Sequence, residues 1–436
     1  MSATSTTGRA ALVAAYGRAR RPAEPPQRDL SHAEVQRDRE RRDMFWFGKA
    51  PEGWSVGKMR SVVYERREKY NRNEELIILS LLKDVGVIPY SEKGDIGNKS
   101  KEDHSQYKVA RKGDLVINSM NVIIGSVGIS PYDGYISPAY YSFVPREDTC
   151  MGFIGYLCST RRFQKAVRCY AKGIMEIRLR VSSYDFLSMP LPLPPLPEQK
   201  AIVAYLDAET GRIDKAIAAE EKMIALLRER REIVINEAVE PHDGWEERPL
   251  RAFLRPVSVR NRPEEQLLSV TREAGVIVRD VSSKEENHNY IPDDLSNYKF
   301  VAKGQFVINK MKAWQGSYGV SPYDGLVSPA YFVYDLTFPC KAFFNLALRS
   351  KVYVPYFQRY SKGIRIDQWD LMPEALKVIS FACPPLPEQE AIVERLDRET
   401  GKIDRAIEVK RRQIELLRER RQIVIDEVVT GKVKVA

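Results

Sequence analysis

Apolar residues recur every seven positions in two long runs of the chain. In the first run, Val203, Thr210, Ile217, Ile224 and Arg231 share one register, and Leu206, Ile213, Glu220, Leu227 and Val234 share a second, three positions on. The second run repeats both, as Val393, Thr400, Ile407, Ile414, Arg421 and Leu396, Ile403, Lys410, Leu417, Val424. Paired registers of this kind predict the a and d seam of a coiled coil. The proline-rich PLPPLP and PPLP ahead of the runs cannot continue a helix but can open one. Each predicted helix extends roughly 60 Å at 1.5 Å per residue.

Ahead of each run the pattern changes to short apolar stretches. LIILSLL at Leu76, DLVIN at Asp114, VIIGSVGI at Val122 and QFVIN at Gln305, punctuated by PYDG turns, predict strands of two mixed α+β domains. The chain is an internal duplication. Pro194 to Val239 and Pro384 to Val429 share about 30 of 46 aligned residues, and the hexapeptide PPLPEQ opens both. YKVARKGDLVIN and SPYDGYISPAY in the first half answer YKFVAKGQFVIN and SPYDGLVSPAY in the second. The predicted order is an extension over 1–44, a globule over 45–193, a helix over 194–243, a globule over 244–383 and a helix over 384–436. The extension has a Ser-x-x-Glu capping box near residue 31.

If the ends of the second globule lie close together, the second helix starts near where the first stops, and the two run antiparallel about an approximate two-fold axis. Glu220 and Lys410, the charged residues in otherwise mostly apolar d series, then fall within about one turn of each other, where opposite charges fix register.

The formal charge is +10, which favours an anionic partner. The excess belongs to the globules: the first carries about 22 basic and 16 acidic residues, the second about 19 and 15, and the first helical run about 7 and 9. Five cysteines without CxxC spacing argue against a disulfide framework or a zinc ribbon and fit a reducing, cytoplasmic setting. No stretch approaches a membrane span.

Motifs for catalysis are missing from the sequence. The four histidines are scattered, with no HExxH, so no metal site is expected. GDIGNKS at Gly94 lacks phosphate-loop spacing. Neither an Asn/Asp-Pro-Pro-aromatic motif of amino-methylating enzymes nor a nuclease's strand-borne acidic pair is present. No catalytic residue is assigned.

Loops joining Lys or Arg with Asn, Gln or an aromatic suit phosphate and base contacts. INKMKAWQGS supplies Asn309, Lys310, Lys312, Trp314 and Gln315, and its counterpart INSMNVIIGS supplies Asn118, Ser119 and Asn121. A second pair, YAKGIMEIRLR and YSKGIRIDQW, supplies Lys172, Arg178, Arg180, Lys362 and Arg365. Common flanks with different loop contents are what two readers of different sequences need. SPAY, at Ser137 and Ser328, reads as core or turn.

The doubled PPLPEQxAIVxxLDxETGxID...LLRERRxIVIxE, each copy behind a globule carrying KG[DQ]xVIN...SPAY, resembles the specificity subunit of type I restriction-modification enzymes over residues 45–436. The resemblance implies a non-catalytic subunit: each globule is a target recognition domain reading half of a split DNA site, and the helices are spacers setting the gap. It implies double-stranded DNA, two modification subunits and restriction subunits as partners. S-adenosylmethionine, ATP and magnesium are expected on those partners and not on this chain. A methylation-only system and a coiled-coil scaffold unrelated to DNA are the alternatives. The 44-residue extension, and Cys383 where the first hinge has Leu193, depart from the family pattern.

Overall fold

The computed structural model describes residues 46–83, 85–94, 103–173, 179–281, 291–292, 294–363 and 369–435. The extension over 1–44, most of GDIGNKS, and Arg178 and Arg365 lie outside the described residues. Two helices dominate: Leu196–Val239 and Leu386–Val429. The chain divides into two compact units, one reaching Glu220 and resuming at Arg412, the other Glu221–Arg411. Each unit therefore owns one half of each long helix.

In the first unit a four-stranded sheet runs in the spatial order Val63–Glu65, Tyr140–Pro145, Leu115–Asn118, Val127–Ile129, antiparallel throughout. A second sheet orders Gly86–Pro89, Ile77–Leu82, Gly134–Ile136 and Lys108–Ala110. Its central pair, Ile77 with Gly134, is parallel. Leu79, Leu81, Val87, Ala110, Val116 and Ile136 fill the small core shared with the first sheet. The larger core joins Phe143, Phe153, Phe163 and Phe186 to Ile202 and Leu206 of the first long helix and to Ile425, Val428 and Val429 of the second.

The second unit repeats the arrangement. Leu254–Val257, Phe332–Leu336, Phe306–Ile308 and Tyr318–Val320 form the four-stranded sheet. The hairpin Leu268–Thr271 with Gly275–Val278 meets the pair Lys299–Val301 with Gly325–Val327 through a parallel bridge between Leu267 and Leu326. Its larger core unites Phe306, Phe343, Phe344 and Phe381 with Val234 and Val239 of the first helix and Ile392 and Leu396 of the second.

The expected closeness of the globule ends holds within each unit. Ser55–Lys58 pairs antiparallel with Pro190–Leu193, and Glu246–Pro249 with Ser380–Cys383. PPLPEQ is the fastener that follows. Gln199 donates from Nε2 to the Pro194 carbonyl at 2.8 Å and Gln389 to the Pro384 carbonyl at 2.7 Å, tying each helix start to its own lead-in. Glu198 Oε1 accepts from Trp54 Nε1 at 3.0 Å, and Glu388 Oε1 from Trp245 Nε1 at 3.1 Å, binding that start to the segment that begins the globule. Trp54→Phe and Trp245→Phe keep most of the ring packing and remove only the donor, so each is expected to cost about 1 kcal/mol in denaturant unfolding.

The helices run antiparallel inside each unit. In the first, the Asp214 carboxylate meets Arg421 at 3.2 Å, while Ile202, further back on the first helix, shares a core with Val429, further on along the second. In the second unit Arg231 meets Asp404 at 3.1 Å, and Val239 shares a core with Ile392. Of the seam residues, Leu206, Ile213, Ile217, Ile224, Leu396, Ile407 and Ile414 are buried, and Leu227, Ile403, Leu417, Glu220 and Lys410 are half-buried. Glu220 and Lys410 fall in different units.

Candidate nucleic-acid interface

The two candidate segments of each half, chosen separately from sequence, are neighbours. In the first unit the loop after Leu115–Asn118 is a tight turn. Asn118 is buried, and its Oδ1 accepts the amides of Met120 at 3.1 Å and Asn121 at 3.4 Å. A 3-10 turn over Val122–Ile124 follows, and Gly125 at φ 96° returns the chain so that the Ser126 amide reaches the Asn121 carbonyl. A left-handed residue is needed there, and glycine adopts it without Cβ strain. Ser119 is buried, its amide on the Ala139 carbonyl of the SPAY turn, while Asn121 is exposed.

Lys172 and Arg180 exchange backbone hydrogen bonds at 2.8 and 2.9 Å, closing the base of the second candidate segment, and the next amide, Val181, donates to the Ser119 carbonyl at 2.9 Å. One backbone bond thus joins loop to hairpin. Arg180 is exposed, whereas Lys172 is ion-paired with Asp185 at 2.9 Å.

The second unit builds the same junction with other side chains. Ala313–Gln315 is its 3-10 turn, Gly316 at φ 92° its return, and the Leu371 amide donates to the Lys310 carbonyl at 2.9 Å. Lys310 itself binds Asp370 at 2.8 Å, on the strand paired with Ser361–Lys362. Asn309 is buried and donates to the Tyr331 hydroxyl at 3.0 Å. Trp314 is half-buried against Trp369, ring centroids 5.6 Å apart, with a buried Nε1 that has no hydrogen-bond partner among the described residues. Lys312 and Lys362 are exposed, and Gln315 is half-buried.

The predicted residues therefore divide into two groups. Asn118, Ser119 and Asn309 hold the turns, and Lys310, Lys172 and Trp314 are engaged within the protein. Asn121, Arg180, Lys312 and Lys362 face solvent. At the position where the first unit has Ser119 and Arg180, the second has Lys310 and Asp370.

Sequence reasoning missed a supporting lysine in each unit. Lys108 Nζ donates to the Tyr140 carbonyl at 2.7 Å, and Lys299 Nζ to the Tyr331 carbonyl at 2.6 Å, both at the end of SPAY. Burial, the largest influence on either, pushes both ammonium groups below the usual lysine value. The repeated Tyr-Lys pairs at Tyr107 and Tyr298 were the available signal. Among the described residues, no cluster of three or more His, Cys, Asp or Glu could hold a metal, and no helix is long and apolar enough to cross a membrane.

Residues 51–225 match the family model of the type I restriction modification DNA specificity domain. This stretch carries the DNA specificity domain of type I systems. The matched stretch takes in most of the first globule and about two thirds of the first long helix, and the internal repeat carries the same motifs into the second half. The specificity subunit of the type I enzyme EcoKI from Escherichia coli (strain K12) is 24% identical over 311 residues, covering 64% of this chain. This chain spans 63% of the length of that relative. A solved structure from work on complex assembly and conformational transition of the type I restriction-modification system aligns with TM-score 0.62 and 17% identity, over 88% of this chain and 100% of that one. The HsdS subunit of Thermoanaerobacter tengcongensis aligns with TM-score 0.46 and 17% identity, over 88% and 98%. The first of these two alignments places the mixed α+β fold, with its long helices, among known structures.

Proposed function

We propose that this chain is the DNA-reading, non-catalytic subunit of a cytoplasmic type I restriction-modification complex, with one half of a split site read by each globule. The observation that carries the reading is the repeated junction. Both units bring a post-strand turn and a hairpin base together through one backbone hydrogen bond, Val181 to Ser119 and Leu371 to Lys310, and place different side chains on it. A fixed frame with exchangeable contacts suits two readers of unlike sequences. The target recognition domains would be 45–193 and 244–383, related by an approximate two-fold axis, with 194–243 and 384–436 as spacers.

Partner docking has its own support. Leu226 and Ile233 on the first helix, and Leu416 and Ile423 on the second, remain 49, 38, 48 and 55% exposed at seven-residue spacing. Apolar positions seven apart lie on one face of a helix and suit a helical partner, and two copies of the stripe suit two modification subunits. S-adenosylmethionine, and the ATP and magnesium of restriction, belong in this reading to the partners.

Mapping methylated adenines after co-expression with the cognate modification subunit tests the reading. A split motif with a fixed gap is the expected result, and a continuous motif, or methylation that ignores this chain, would reject it. The spacers give a sharper form. Removing 218–224 and 408–414 together takes two turns from each helix, roughly 10 Å. The gap is expected to change by about three base pairs, since steps along DNA are about 3.4 Å, with both half-sites kept.

A further inference from the structure

Beside the hairpin base of the first unit lies a cleft that shares only Lys172 with the candidate loops of the sequence. Lys58, Arg60, Lys172, Tyr184, Asp185 and Ser188 line most of it, around a volume of about 360 Å³. Three cations face one acid. Arg60 is held in place, its Nη2 on Ser188 Oγ at 2.6 Å and its Nε on the Leu187 carbonyl at 3.4 Å. Lys172 is held by Asp185. Tyr184 stands 71% exposed, with the Arg60 guanidinium 5.7 Å from its ring centre. Lys58 is exposed on the strand beneath.

We propose that this cleft binds the phosphodiester backbone of double-stranded DNA beside the half-site read by the first unit. The inference rests on the proposed function and extends it to a new surface. Three arguments carry it. Arginine, lysine and tyrosine hydroxyl are the side chains that grip phosphates, and two of these groups are fixed before any ligand arrives, so little is lost in ordering them. The cleft is continuous with the candidate interface, because Lys172 closes the hairpin with its backbone and lines the cleft with its side chain. Apart from two tyrosines and a cysteine the lining is polar and mainly cationic, which favours a polyanion over an apolar protein face.

The second unit shares only part of the cleft chemistry, with Arg251 and Lys362 at the positions of Arg60 and Lys172. The helical turn that carries Tyr184 and Asp185 corresponds there to Pro373–Lys377, with Glu374 where the tyrosine stands. Lys58 corresponds to Pro249 by the matching strand registers. The tyrosine and the strand lysine of this surface are therefore features of the first unit.

The test is duplex binding by the full chain assembled with its modification subunits, measured against salt. The wild-type complex is compared with Arg60→Ala/Tyr184→Ala, with Lys58→Ala, and with Arg212→Ala, which removes one charge from the first long helix outside the cleft. The double variant is expected to bind a cognate duplex about tenfold more weakly, with the salt slope reduced by about one unit for a phosphate that is no longer neutralised. Lys58→Ala is expected to reduce the slope as well. The recognised motif and the melting temperature should not move, because these side chains are exposed. Unchanged affinity and slope in both cleft variants overturns the proposal while the specificity reading stands. A weakening equal to that of Arg212→Ala, or release of the modification subunits from the complex, also overturns it. Absence of sequence-specific binding by the wild-type complex strikes the reading itself.

Discussion

Gly134→Ala is expected to lower the melting temperature of the first unit by about 6–12 °C, corresponding to roughly 3 kcal/mol for a unit of this size. A methyl group at Gly134 falls 2.5 Å from Leu79 Cγ and 2.6 Å from the Ile77 carbonyl oxygen. Leucine can rotate away from such an approach, but the carbonyl belongs to the residue that pairs with Gly134 across the parallel ladder, so relief requires parting the strands. Gly325 stands in the same position, 2.5 Å from the Gln266 carbonyl, and Gly325→Ala should do the same to the second unit. The glycine of both PYDG motifs is thus explained by close backbone approach. Gly211→Ala is the control: its methyl meets nothing within 4 Å in the middle of a helix, and the variant should be more stable by about 0.5–1 kcal/mol. Calorimetry on the three variants separates a crowding effect from a general cost of losing glycine. A Gly134→Ala melting curve that overlays the wild type would refute the crowding account.

Asp114→Ala is expected to cost about 3 kcal/mol, because it takes one of two carboxylate partners from a largely buried arginine and removes the acceptor of the Ser142 hydroxyl and the Arg111 amide. The Asp114 side chain is 2% exposed and Arg66 16%. Arg66 grips the carboxylate with Nε at 2.6 Å and Nη2 at 3.0 Å, and the Ser142 hydroxyl and the Arg111 amide donate to it as well. Urea unfolding monitored by tryptophan fluorescence reads the loss. Acid should loosen the same region. Burial, the largest influence on Glu68, raises its carboxyl, but hydrogen bonds from Arg111 and Arg66 and their charges outweigh it and hold the group below the usual carboxylate value. A carboxyl depressed in this way contributes stability that is present at neutral pH and is lost as the pH falls through its folded value. The second unit has a neutral side chain at the same position and no arginine on it: Gln305 accepts the Ala302 amide at 2.7 Å and donates to Asp335 at 2.8 Å. Its sheet is accordingly expected to be less sensitive to acid.

These contrasts show what the sequence made legible. The seven-residue period located both long helices, because a seam of that spacing has no stable alternative that buries it. The antiparallel course of the helices followed from assuming that the ends of the second globule lie close together, and PPLPEQ proved to be a fastener whose glutamine and glutamate have separate partners. The loops were legible only as segments. That Lys310 is neutralised by Asp370, 60 residues away, or Lys172 by Asp185, depends on side-chain geometry that periodicity does not encode. Composition selected basic loops, and the fold then used several of their lysines and asparagines to hold the loops themselves. The cleft at Arg60 and Tyr184 was legible only in Lys172: its residues come from three separate stretches of chain, and the two that carry Arg60 and Tyr184 were not among the candidate loops.

The division of the long helices has a consequence for biosynthesis. The core of the first unit contains Ile425, Val428 and Val429, all essentially buried beside residues of the 150s and 160s. Every residue of the second unit, by contrast, lies within Glu221–Arg411. As the chain leaves the ribosome, the second unit has all its parts while the first, translated earlier, still lacks one wall of its core. The part made first is the part completed last, and until then its apolar surface depends on chaperones or on the speed of translation for protection.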